Sequence, residues 1–167
     1  MLVCVALAVN FVSLRAAAPP NRWLITGNEA GQFHIGMTVE NARDLIGVDR
    51  AEIIDLNLEG LFSPGMVVPD SEGKRSLVGE IECSHANRWV FWRIRVYDRR
   101  YRTSRGIGVG SSYTQVTKEY PEVKLSDEEG RALLDNQEGI SYVISDGPLP
   151  TATVTSLILS GREKHRP

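Results

Sequence analysis

Alternating apolar and polar positions mark the middle of the chain. In residues 77–83 and 89–97 apolar side chains recur at every second position, the period of a strand with one buried face, and His85-Ala-Asn-Arg88 between them has the composition of a turn. Residues 22–26, 53–58, 66–68, 140–144 and 154–159 read as shorter strands. The stretches 69–75 and 146–150, rich in proline, glycine and aspartate, read as loops. A helical period appears twice, in Val39, Ala42, Leu45 and Ile46 and again in Val116 and Tyr120. One stretch admits two readings. Ser126 and Glu129 have the spacing of a capping box that opens a helix over residues 127–135, whereas Asp127-Glu-Glu-Gly130 also suits a tight turn with glycine in the left-handed position.

The two helical stretches belong to longer segments, 33–47 and 107–121, that align without gaps at an offset of 74. Phe33 matches Ile107, Gly36 matches Gly110, Thr38 matches Ser112, and Ala42 matches Val116. Each matched position has a physical task. Phe33 and Ile35 end a strand, Gly36 permits a backbone angle that a Cβ resists, and Thr38 is a helix N-cap. In the second segment Ser112 and Gln115 form the S-x-x-Q capping box. The first helix stops at Gly47 and the second before Pro121. Because strands follow the first helix, the echo favours a hairpin at 127–135.

Gly36-Met-Thr38 followed by Ala42, Leu45 and Gly47 resembles a signature of small bacterial export-pathway domains, those of the SmpA/OmlA outer-membrane assembly lipoproteins and of the β-lactamase-inhibitor-protein-like fold. The second segment departs from it, with Ser111-Ser112 for Met-Thr and Pro121 for the closing glycine, and no lipidation box precedes the domain. The resemblance implies a short helical segment paired with antiparallel sheet, twice in tandem in the inhibitor-like members, and an envelope address. Pattern and resemblance lead to an α+β expectation: two tandem repeats, about 33–105 and 107–160, each a short helix with an antiparallel sheet of about four strands, helices on one sheet face. Short connections leave no crossover for parallel strands.

Residues 2–14 are apolar apart from Asn10 and Ser13, and Arg15, three alanines and two prolines follow. The run is short for a membrane span and suits the core of a signal peptide, so residues 1–20 are expected to be removed and the mature chain to be periplasmic or secreted. Residues 21–161 then form one domain, residues 162–167 are a polar tail, and no integral membrane span is expected in the mature chain. Cys83 is the single cysteine beyond residue 20, which excludes an intramolecular disulfide there.

Charge and candidate chemistry narrow the reading. The net charge is −2, yet residues 88–105 hold seven arginines against one acid, a local +6 that leaves −8 elsewhere. Arginine interleaved with aromatics suits protein hot spots as well as nucleic acid, and export disfavours nucleic acid. Glu80 and Glu82 share a strand face at a separation open to glycosidase-like chemistry, but Arg93 and Arg95 on the next strand make a salt ladder the simpler expectation. Cys83 and His85 supply two metal ligands where structural zinc takes four, and the glycines at 106–110 lack the lysine of a phosphate loop. The expectation is therefore a module with no catalytic residue, metal or cofactor that binds a protein partner in the cell envelope. The alternative is an envelope hydrolase acting on sugar or peptide through Glu80 and Glu82.

Strand parity locates the expected partner site. Val90, Trp92, Ile94 and Val96 point one way, and Trp89, Phe91, Arg93, Arg95 and Tyr97 the other. A four-residue turn at 85–88 pairs Ser84 with Trp89, Glu82 with Phe91, Ile81 with Trp92 and Glu80 with Arg93. Helices are expected over the Ile81 and Trp92 side, because charged groups are costly to bury there. Trp89, Phe91, Arg93, Arg95 and Tyr97 are left on an open face as the site.

Overall fold

The computed structural model describes residues 21–58, 60–127 and 131–161, so the expected leader and the expected tail lie outside it. Within those residues the first half of the chain forms β1 (Leu24–Ile25), β2 (Glu29–Ala30), β3 (Phe33–His34), α1 (Val39–Ile46), β4 (Glu52–Asp55), β5 (Pro64–Pro69), β6 (Arg75–Cys83) and β7 (Trp89–Val96). The second half forms β8 (Arg102–Thr103), α2 (Tyr113–Glu119), β9 (Lys124–Ser126), β10 (Ala132–Asp135), β11 (Ile140–Ile144) and β12 (Val154–Leu159).

Capping fixes both helices where the sequence places them. The Thr38 hydroxyl accepts from the Asn41 amide at the start of α1, which stops at Gly47. α2 opens on the complete Ser112–Gln115 capping box and ends at Tyr120, before Pro121. Gly36 and Gly110 take φ of 85° and 87°, a region that a side chain resists. These turns are strapped to the sheet: Gly36 N–H donates to Phe91 O and Phe91 N–H to Met37 O, while Gly110 N–H donates to Val154 O and Val154 N–H to Ser111 O. The ambiguous stretch is a hairpin, with Ser126 opposite Ala132 across β9 and β10.

The strands do not divide as expected. Eight of them form one sheet in the order β4-β5-β6-β7-β12-β11-β10-β9, and four short ones a second sheet in the order β3-β2-β1-β8. The fold is mostly β, which corrects the α+β expectation of two tandem helix-plus-four-strand repeats. The join at β7 and β12 gives the reason. Val96, Arg95 and Ile94 lie opposite Leu157, Ile158 and Leu159, so edges that two separate sheets would leave open are hydrogen-bonded to each other. Pairing is antiparallel throughout the large sheet, but β1 and β8 run parallel, Leu24 beside Arg102. The intervening chain is the crossover that short-range connections did not reveal.

Burial shows which side of the large sheet is covered. Met66, Leu77, Ile94, Tyr142, Leu157 and Leu159 point into one core with Val39 and Ala42 of α1, Val116 of α2, and Ile25 and Phe33 of the small sheet. Both helices and the small sheet therefore lie on one face. Val67, Val78, Val90, Ala132 and Ile158 are buried on the other face and stand outside that core. Among the described residues no helix is long and apolar enough to cross a membrane.

Candidate functional site

The face of the large sheet opposite the helices is shaped by an irregularity between β6 and β7. The turn after β6 closes through Ser84 N–H to Arg88 O and Asn87 N–H to Ser84 O, with Asn87 at φ 58°. Cys83 is thereby brought opposite Trp89, Glu82 opposite Val90 and Ile81 opposite Phe91, one step away from the expected register. A bulge then takes up Trp92 as an extra residue, and the expected pairing of Glu80 with Arg93 holds beyond it. Everything between bulge and turn is flipped relative to the parity argument, since a one-residue slip exchanges the two faces.

The expected partner residues therefore separate. Phe91 is fully buried on the helix side, and its ring fills the space above Gly79, where a Cβ would come within 2.4 Å of it. It is a core residue and is not available to a partner, which corrects its assignment to the open face. Trp89 shares the parity of Phe91 but lies past the end of the core and is 52% exposed. Val90, expected in the core, takes the open face instead. Arg93 and Arg95 do lie on the open face. Tyr97 follows β7, half-buried, with the Arg75 guanidinium 5.8 Å from its ring.

At the centre of the face stands Glu80, 1% exposed. Its Oε1 accepts from Arg95 Nη2 at 3.2 Å, and its Oε2 lies 3.6 Å from Arg93 Nη1. The expected salt ladder is thus a buried carboxylate between two guanidiniums. Arg93 also lies 4.2 Å over the Trp92 ring, so the bulge supplies a stacking platform. Glu82, opposite Val90, is exposed and makes no ion pair among the described residues.

The rim comes from the loop between β4 and β5. Leu56 lies over Gly65, where a Cβ would meet its side chain at 2.8 Å and Val78 at 3.1 Å, which places this loop on the open face. Leu61 and Phe62 at its tip are 68% and 75% exposed. Sequence reasoning passed over them, although two large apolar residues between Gly60 and Ser63-Pro64-Gly65 sit in turn chemistry with nothing to bury them. It also missed the part of Trp92, because an extra residue in a strand leaves no mark on the alternation.

Three further arginines of the basic run are engaged elsewhere. Arg102 donates to Val109 O at 3.0 Å, and Arg105 donates to Glu119 O and stacks on Tyr120. Arg100 grips Asp98 at 2.5 Å. Burial pushes the Asp98 carboxyl up, but Arg100 and the Ser76 hydroxyl outweigh it and hold the group below its ordinary value of 3.8.

No protein-family model and no curated protein matches the sequence. Among solved structures the chain is similar to the crystal structure of the uncharacterized protein yfeY from Escherichia coli, with a TM-score of 0.54 at 15% identity over 81% of this chain and 97% of that one, a likeness of fold.

Proposed function

We propose that the chain is an exported, non-catalytic module of the bacterial cell envelope that docks a protein partner on the open face of its large sheet. The observation that carries this reading is the cluster of Glu80, Arg93 and Arg95. A buried carboxylate stands between two guanidiniums, 3.2 Å from Arg95 Nη2 and 3.6 Å from Arg93 Nη1, and so fixes both on this face. Side chains fixed before contact lose little freedom on binding, and arginine beside tryptophan is the composition of protein hot spots. Trp92 adds the aromatic surface, and the exposed Leu61 and Phe62 add an apolar rim. The partner that fits is a protein bringing an acidic side chain to the solvent-exposed part of Arg95 and an apolar one to Phe62. The hydrolase reading draws less support, because Glu80 is sealed under its arginines while Glu82 faces solvent.

The test is cross-linked capture in the native envelope with the tagged full chain. Phe62→Asp should reduce recovery of the specific partner at least tenfold, whereas Leu24→Asp, on the small sheet across the molecule, should leave it unchanged. Equal recovery with Phe62→Asp, or no specific partner with the unaltered chain, would overturn the proposal.

A further inference from the structure

On the covered side of the sheet, a cleft of about 440 Å³ opens between the small sheet, α1 and the loop from β5 to β6. Its size falls in the range of ligand pockets, roughly 300–1,000 Å³. The wall is aromatic. Trp23 meets Tyr101 edge-on with ring centroids 5.0 Å apart, and Phe33 continues the surface. Cations stand around that wall: Arg22 lies 4.8 Å and Arg100 4.2 Å from the Trp23 ring, and Arg50 donates to Asp70 O at 2.6 Å.

The charges of this lining do not cancel. Three arginines face one carboxylate, Asp70. Asp70 is itself engaged, accepting through Oδ1 from the amides of Glu72 and Lys74 in its own loop. Arg100 is neutralised by Asp98 at 2.5 Å and stands 4.0 Å from Asp70. Among the described residues neither Arg22 nor Arg50 has a carboxylate within ion-pair distance. Two guanidiniums are left to a ligand, beside the half-buried ring of Trp23.

We infer that this cleft binds a small organic anion, a phosphate or carboxylate carried on an aromatic body, with Arg22 and Arg50 taking the anion and the edge of the half-buried Trp23 the ring. Arginine forks bind both anions bidentately, and the half-buried Trp23, held edge-on by the buried Tyr101, offers the ligand ring an aromatic contact. The buried network below, in which Ser76 donates to Asp98 at 2.9 Å and Asp98 holds Arg100, fixes the wall before the ligand arrives.

The probe is phenyl phosphate, titrated into the full chain while the Trp23 indole N–H is followed by NMR. Saturable movement of that resonance is expected, with inorganic phosphate and phenol each binding at least tenfold more weakly. Arg22 and Arg50 are exposed, so the double substitution Arg22→Ala, Arg50→Ala should fold and should weaken phenyl phosphate at least tenfold. Undiminished binding by that variant, equal binding of phenol, or no movement at Trp23 would overturn the inference. Partner capture through Phe62 is a separate readout on the opposite side, so either result stands without the other.

Discussion

Replacing Glu80 by glutamine tests whether the cluster on the open face is held as described. At an effective dielectric near 20, unit charges at the 3.2 Å separation of Glu80 and Arg95 attract by roughly 5 kcal/mol before desolvation is counted. Desolvation returns much of that, and removing one partner of a buried pair costs about 3–5 kcal/mol. Arg93 and Arg95 keep 19% and 25% of their side-chain surface in solvent, which discounts the cost to just below that range, and Glu80→Gln should cost about 2–3 kcal/mol. Urea unfolding reads this as a midpoint lower by about 1–2 M with an unchanged slope. Most of the difference should survive in 1 M salt, because a shielded pair is screened far less than an exposed one. Removing the cluster whole, with leucine at 80, 93 and 95, should recover much of the loss, since an apolar replacement of a buried ion group is often neutral. A Glu80→Gln variant within about 0.5 kcal/mol of the parent, or one whose deficit vanishes in salt, would refute the reasoning.

Phe91→Ala should destabilise the fold by about 3–5 kcal/mol in the same assay, as a large core ring removed from above Gly79, whereas Trp89→Ala should cost under about 1 kcal/mol. Ser112→Ala removes the acceptor of the Gln115 amide at 3.2 Å and should cost about 1 kcal/mol, with α2 losing amide-exchange protection first. Asp98 has a carboxyl held below its unfolded value of 3.8, so its contribution is complete above that value and lost as pH falls through the folded one. Stability measured by urea titration below about pH 4 should therefore fall less steeply in Asp98→Asn than in the parent; an equally steep fall would show that Asp98 carries no such contribution.

How much was legible follows from where the information sits. The caps at Thr38 and Ser112 were readable because capping is local chemistry, settled within three residues. The strand at 140–144 was readable because burial alternates along its whole length, and that at 154–159 because it is a short apolar run of β-formers closed by Gly161. Strand partnership was not. The join of β7 to β12 brings Arg95 beside Ile158, a pairing that no spacing in the sequence encodes. Nor was the bulge at Trp92 legible. The segment from Trp89 to Val96 keeps an alternating look through it, and the fate of Phe91 depends on the turn at Asn87 and the hydrogen bonds from Gly36 and to Met37.

The basic run of residues 88–105 shows what this costs a functional reading. Read linearly, seven arginines make one positive stripe. In the fold they fall on two sides of the large sheet. Arg93 and Arg95 belong to the open face and answer to Glu80, while Arg100 and Arg102 follow the chain to the small sheet and answer to Asp98 and to Val109 O. The cation excess that remains near the small sheet comes from Arg22 and Arg50, which stand far from the run in sequence; Arg22 reaches the cleft through the pairing of β1 with β8, and Arg50, in the turn after α1, through its hydrogen bond to Asp70 O. Charge density along the chain therefore pointed to the wrong arginines for the cleft and the right ones for the open face. The two surfaces also lie back to back across the core, so changing Arg22 and Arg50 should leave the Glu80 cluster and any docking at Phe62 untouched. A loss of partner capture in that variant would mean that the two sites communicate through the sheet.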